Sequence, residues 1–303
     1  MIVNFTIAIP TYNNENTILK SINSALQQDY SGDYEVLIVN NASSDKTLDV
    51  INKINDTRIR VVSNIETCTL FENHNVCLRE SSGDYILFCH SDDELDSQAL
   101  SILSRKLEAR GYPKKYITWG HSLFRDFSEA LENSKLQTGK VFSGIIAVRP
   151  FINGGLTPSG TCYSKSFVEV SGFLPTKYRL TPSDSSSMIY AVLHGFRFEM
   201  LDELIFYRRK ASTAIRGSKK QDIEDAYLDA WTDLGERIDQ DNLFDIFQQS
   251  KSIKNVNLLF YSYMTQKYPH EVLKRMLIQL IVHPTSARYA LFWKVIFKCL
   301  IIK

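Results

Sequence analysis

The chain opens with short apolar runs separated by segments in which apolar residues recur every three or four positions. Residues 5–9, Phe-Thr-Ile-Ala-Ile, form a β-prone run closed by Pro10. Between Asn14 and Gln28, the apolar Ile18, Ile22, Ala25 and Leu26 follow helical spacing. The strand-then-helix unit returns at Tyr34 to Val39, with a turn over residues 40–45 and Leu48, Ile51 and Ile54 at helical period. Arg58 to Val62 is a third expected strand, Leu70 to Glu80 a helix, and Tyr85 to Cys89 a fourth strand. This alternation predicts an α/β, Rossmann-like half: a mostly parallel sheet with helices on both faces and right-handed crossovers.

The fourth strand ends in Ser91-Asp92-Asp93-Glu94. Consecutive acids repel one another, and the carboxyl edge of a parallel sheet is where ligands bind, so a divalent cation such as Mg²⁺ or Mn²⁺ would explain them. The alternative is that Ser91 or Asp92 caps the next helix and the remaining acids favour its positive end. The pattern alone leaves both readings open.

Past Glu94 the pattern changes. Gln98 to Glu108 reads as a helix, Tyr116 to Trp119 as a strand, and residues 154–160 as a glycine-rich stretch suited to a tight bend or to close approach of backbone to a ligand. Phe167, Val168 and Val170 stop at Gly172, and Pro182-Ser183-Asp184 opens a helix toward His194 with Gly195 as its cap. Phe196 to Leu201 and Leu204 to Tyr207 read as two strands, followed by the basic Arg208, Arg209 and Lys210. From Lys219 onward the period is helical, in pieces at 222–240, 242–249, 256–267, 270–282 and 287–302. The last is dense in aromatic and aliphatic residues, with Lys294 and Lys298 on one face. It is either a core helix or one lying on a membrane surface. The expected division is residues 1–210, with halves at 1–95 and 96–210, and a helical region at 211–303.

Composition narrows the function. The 303 residues carry a net charge of +1, which argues against a nucleic-acid partner held by phosphate neutralisation. Five cysteines without a CxxC pair point to reduced thiols and a cytoplasmic setting. No basic leader or apolar run of membrane-spanning length is read. Neither GxGxxG nor GxxxxGK[ST] occurs, so a bound nucleotide diphosphate would need its charge met by a cation instead of by glycine amides.

Five segments in order, PTYNNE at 10–15, VNNASSDKT at 39–47, NHN at 73–75, HSDD at 90–93 and PSD at 182–184, resemble the family 2 glycosyltransferases of the GT-A fold. The bacterial members that build surface polysaccharides (O-antigen, capsule, lipooligosaccharide) are the most similar. The resemblance runs from residue 3 to about residue 210, leaving the C-terminal helices as an extension. It implies an inverting transferase that moves a sugar from a nucleotide-diphosphate donor, UDP-linked, to a hydroxyl of a glycan or lipid-linked glycan, with Mn²⁺ or Mg²⁺. A lipid-linked acceptor would bring the C-terminal helices to the inner membrane face.

The same resemblance assigns residues. Pro10, Thr11, Tyr12 and Glu15 belong to the first nucleotide-binding loop, with Tyr12 against the base. Asn40 stands where relatives carry a base-contacting Asp, and Asn75 and Ser91 complete the nucleotide set. Asp92 matches the metal-contacting acid, with His90 and Asp93 as further candidate ligands. Asp93, Ser159, Arg208 and Arg209 fall to the donor sugar or diphosphate, and Asp184 matches the general base. His74 departs from the N-W-N form of its motif and reads as a satisfied polar residue. Because Asn40, His90 and Ser183 also depart, a non-catalytic nucleotide- or glycan-binding member is the first alternative. A sugar nucleotidyltransferase is the second, although PTYNNE lacks that class's glycine-rich, basic loop.

Overall fold

The computed structural model describes residues 3–122, 138–144, 147, 151, 158–170, 172–174, 183–208, 234, 237, 269–282, 284, 287 and 290–301. Among them the strands are β1 (Phe5–Thr11), β2 (Tyr34–Asn40), β3 (Ile59–Ser63), β4 (Tyr85–Phe88), β5 (Glu94–Leu95), β6 (Tyr116–Ser122), β7 (Val141–Ser143), β8 (Thr161–Ser164) and β9 (Arg197–Tyr207). They form one sheet in the order β3-β2-β1-β4-β8-β6-β9-β5, with β7 against β9. The helices are α1 (Ile18–Leu26), α2 (Thr47–Ile51), α3 (Leu70–Glu80), α4 (Ala99–Ala109), α5 (Ser166–Val170), α6 (Ser183–Leu193), α7 (Pro269–Val282) and α8 (Ala290–Ile301).

The first four strands are parallel, as the alternating pattern predicts. Ile7 to Ile9, Val36 to Val39 and Ile86 to Phe88 are wholly buried, which explains why these strands read as continuous apolar runs with no polar face. The sheet is mixed beyond β4, because β8 is antiparallel to both β4 and β6, while β6 and β9 run parallel. The two strands expected over 196–207 are one: β9 continues through Asp202 and Glu203 with a register shift against β6, and its end pairs with β5. A buried Glu199 staples this half, accepting bonds from Arg110 (2.8 and 3.2 Å) and from the Tyr116 hydroxyl.

Two local differences matter for the site. The first helix begins at Ile18 rather than Asn14, because residues 13–15 are tied to the turn after β2. The helix after the acids begins only at Ala99, and Glu94–Leu95 is a strand, so neither Ser91 nor Asp92 caps a helix. The capping alternative is thereby removed.

α6 and its Gly195 terminus, with φ at +88°, lie where the spacing placed them. Among the C-terminal helices, α7 and α8 pack together. α8 buries Phe292, Val295 and Cys299, whereas Trp293, Phe297, Leu300 and Ile301 are exposed. The helices expected at 242–249 and 256–267, and all but residues 234 and 237 of that at 222–240, fall outside the described residues. No described helix is long and apolar enough to cross a membrane.

Candidate active site

The parallel register sets Thr11 beside Asn40 and Ala8 beside Phe88, so the loops after β1, β2 and β4 leave the sheet at one edge. The first two loops interlock through polar side chains. Asn13 accepts from the Ser44 amide (2.8 Å), its own amide donates to the Ser43 hydroxyl (3.1 Å), and the Asn14 amide donates to the Thr47 hydroxyl (2.7 Å). Glu15 accepts from the Lys46 amide (2.9 Å), so its carboxylate joins the two loops. Asn40 is buried, and its side-chain oxygen accepts from the Ser43 amide (3.2 Å), closing the turn after β2. Tyr12 stands out of this frame, 37% exposed.

The acids hang from the same frame. Thr17 donates to the Ser91 carbonyl (2.8 Å), Ser21 to the Asp93 carbonyl (2.6 Å), and the Ser91 hydroxyl to Asn14 Oδ1 (2.8 Å). Asn14, Thr17 and Ser21 therefore position the acidic turn, although nothing in their spacing singles them out for it. On the other side, the Ser159 hydroxyl accepts from the His90 amide (3.1 Å), and Gly160 donates to the Phe88 carbonyl (2.9 Å). The expected close approach at Gly160 is to protein: its φ is +76°, and an added Cβ would lie 2.2 Å from the Phe206 ring.

One donor atom each from His90, Asp92 and Asp93 come within 4.8 Å of one another. Two carboxylates and an imidazole suit Mn²⁺, and the carboxylates alone also suit Mg²⁺, so the residues present fit a divalent cation. Burial raises the Asp93 carboxyl above its ordinary 3.8, against the lowering pull of His90 and of the Ser159 hydroxyl. Burial lowers the His90 imidazole, against the raising pull of Asp93 and Asp92. Arg208 follows Tyr207, which pairs with Glu94, and its charge acts on both His90 and Asp93.

Asp184 lies in the first turn of α6 and accepts from the Ser185 amide (2.8 Å). Its helix is anchored by Ser183, which donates to the Leu174 carbonyl (2.5 Å), and by Ser187, which accepts from the Leu174 amide (2.8 Å). The neighbouring Phe173 packs on His74 and Phe88 at ring-centroid distances of 5.6 and 5.8 Å. A continuous line of contacts thus joins the Asp184 turn to the base of the acidic turn. Asn75 lies apart from these loops on α3, where its amide bonds both backbone groups of Phe173 (2.7 and 2.8 Å). Through these bonds it holds the segment under α6. Arg209 lies outside the described residues.

Residues 6–113 match the sequence profile of Glycosyl transferase family 2. That segment is similar to a family 2 glycosyl transferase domain. Poly(ribitol-phosphate) beta-N-acetylglucosaminyltransferase TarS of Staphylococcus aureus is 33% identical over 99 residues, 32% of this chain and 17% of that protein. Its crystal structure (residues 1–349) in complex with UDP-GlcNAc superposes with a TM-score of 0.61 at 17% identity, covering 97% of this chain and 90% of that one. The Escherichia coli enzyme WfaP, a UDP-Glc:alpha-D-GlcNAc-diphosphoundecaprenol beta-1,3-glucosyltransferase, is 39% identical over 88 residues, 29% of this chain and 35% of the enzyme. The mannosyltransferase PcManGT of Pyrobaculum calidifontis, solved with GDP-Man and Mn²⁺, superposes with a TM-score of 0.60 at 16% identity, over 99% of this chain and 85% of that one. The chain spans well under half the length of these sequence relatives in its matches, and the structural likenesses establish the fold. The mixed α/β sheet is the GT-A architecture that the ordered motifs implied.

Proposed function

We propose that the chain is an inverting glycosyltransferase that moves a sugar from a UDP-linked donor to a hydroxyl of a growing bacterial surface glycan. Residues 1–210 form its catalytic domain. The observation that carries this reading is the His90, Asp92 and Asp93 cluster, suspended between the interlocked loops after β1 and β2 on one side and Ser159 on the other. TarS and WfaP, which share the domain, are named for sugar transfer, and WfaP for a UDP-Glc donor.

Tyr12 stacks on the base and Asn40 offers its amide to it, while Pro10, Thr11 and Glu15 shape the loop that receives the nucleotide. Asp92, Asp93 and His90 hold a divalent cation, which when bound supplies positive charge at the donor's diphosphate. Mn²⁺, the ion solved with PcManGT, suits a set containing imidazole. Arg208, and Arg209 beside it, lie toward the diphosphate, and Ser159 toward the sugar. Asp184 takes the proton from the acceptor hydroxyl as it attacks the anomeric carbon, a role worth about 10²- to 10⁴-fold in rate.

An acceptor on a lipid diphosphate, of the kind named for WfaP, suits the exposed apolar face of α8. That face would rest on the inner surface of the cell membrane without crossing it.

A panel of UDP-sugars offered with Mn²⁺ and a lipid-linked glycan tests the reading. UDP release that depends on acceptor supports it. Tight UDP binding with no release across the panel would instead make the chain a binding member of the fold.

A further inference from the structure

His74 faces His90 from inside the protein, Nε2 to Nε2 at 3.0 Å. Its other nitrogen, Nδ1, lies 2.7 Å from the Leu70 carbonyl. A carbonyl only accepts, so Nδ1 carries a proton. His74 is wholly buried, stacked on Phe88 at 5.2 Å and flanked by Phe71 and Phe173, and this apolar box keeps it neutral. One proton on a neutral imidazole leaves Nε2 with a lone pair. Two lone pairs at 3.0 Å repel, so the proton between the rings belongs to His90 Nε2.

We propose that His74 is a positioning residue that fixes His90 as its Nε2–H tautomer, leaving the His90 Nδ1 lone pair for a divalent cation shared with Asp92 and Asp93. The inference rests on the metal reading of that cluster but not on sugar transfer. Imidazole ligands are usually oriented by a carboxylate or carbonyl that takes their second N–H. Here a second imidazole does so, and the difference has a consequence for charge. Asp92 and Asp93 already balance a divalent ion, and a third carboxylate behind His90 would repel the diphosphate that must approach. A neutral acceptor orients the ligand with no added negative charge. The relay also couples the ligand to the fold, since Phe173, packed on His74, carries the segment that anchors α6.

The test uses the full ¹⁵N-labelled chain. Long-range ¹H–¹⁵N spectra of the wild type without metal should show His90 protonated at Nε2 and His74 at Nδ1; a His90 protonated at Nδ1 overturns the proposal. Mn²⁺ affinity, followed by electron paramagnetic resonance with UDP present, should fall about 10- to 100-fold in His74→Phe, which removes the acceptor. It should largely return in His74→Gln, whose side-chain oxygen can take the same N–H, with metal-free UDP affinity constant throughout. Equal Mn²⁺ affinity in wild type and His74→Phe overturns the relay while leaving the metal site standing. A wild type that binds no Mn²⁺ removes both, and the outcome of the UDP-sugar panel separately decides whether transfer survives. If His74→Phe does not fold, the wild-type tautomer and the His74→Gln affinity decide the matter.

Discussion

The Ser91 hydroxyl donates to Asn14 Oδ1 across 2.8 Å, and the same oxygen also receives the Tyr12 amide (3.3 Å). One acceptor thus registers the acidic turn against the loop that carries Tyr12. Ser91→Ala should lower stability by about 1 kcal/mol, the ordinary worth of one such bond. The same change lets the two loops drift apart, so UDP affinity should weaken severalfold. Denaturant melts and calorimetric UDP titration measure the two effects. Unchanged UDP affinity with reduced stability would show that the bond serves folding alone.

Asp184 sits at the start of α6 with one carboxylate oxygen bonded to the Ser185 amide (2.8 Å). Asp184→Asn keeps an oxygen for that bond and removes the basic group. Transfer should therefore drop about 10²-fold or more while UDP and Mn²⁺ affinities and the melting temperature hold. Single-turnover transfer with matched binding titrations checks this. Full transfer by the variant would refute the assigned role.

Gly160 precedes β8 and follows Ser159, whose hydroxyl meets the His90 amide. Gly160→Ala meets two obstacles, a φ of +76° and a Cβ position 2.2 Å from the Phe206 ring, which is itself fully buried. The combined cost should be roughly 2–4 kcal/mol. Mn²⁺ binding should weaken too, because Ser159 and the His90 backbone shift together. A melting temperature within a degree of wild type would contradict the rigid placement of this turn.

What could be read from the chain and what could not divide along a physical line. β1, β2 and β4 are buried on both faces, so their apolar runs report directly on their environment, and the ordered loop motifs locate the site at their carboxyl ends. The mixed second half was less legible. β9 holds Asp202 and Glu203 mid-strand because it lies toward the edge, with Glu203 paired to Lys106 at 2.8 Å, and that polar interruption imitates a turn. Long-range polar contacts leave no periodic trace at all. His74 reads as a satisfied polar side chain because it is one, but its partner is a candidate ligand sixteen residues away. Asn75 was drawn toward the nucleotide by its motif, and its amide also bonds both backbone groups of Phe173, nearly a hundred residues on.

Glu35 ties together three strands at the opposite edge. Its carboxylate accepts from the Thr6 hydroxyl (2.7 Å), the Ser82 amide (2.7 Å) and Arg60 (3.2 Å). Burial pushes its pKa up, but the Ser82 and Thr6 bonds, with Arg60, outweigh that and hold it below the ordinary 4.5. A carboxylate depressed in the folded state contributes stability above its unfolded pKa and loses it as pH falls through the folded value. Glu35→Gln should therefore cost about 1 kcal/mol near neutrality, with the gap to wild type closing below about pH 4. Urea midpoints across pH 3 to 7 follow it, and a gap that widens in acid would reverse the sign of the argument.

The outer face of α8 presents Trp293, Phe297 and Leu300 at helical spacing, and Ile281 on α7 is 80% exposed. Lys294 and Lys298 flank this face, while Phe292, Val295 and Cys299 are buried on the other. Apolar side chains beside lysines suit a surface of acyl chains under anionic headgroups, where each lysine near the surface adds about 1 kcal/mol. The full chain should co-sediment with phosphatidylglycerol vesicles, and less so at high salt, because the lysine contribution is screened. Phe297→Ser combined with Leu300→Ser should abolish sedimentation with little change in the melting temperature, since both side chains are mostly exposed. A wild type that stays in the supernatant would remove the membrane from the proposal and leave the donor site untouched. Binding that persists in the double variant would move the contact to another surface.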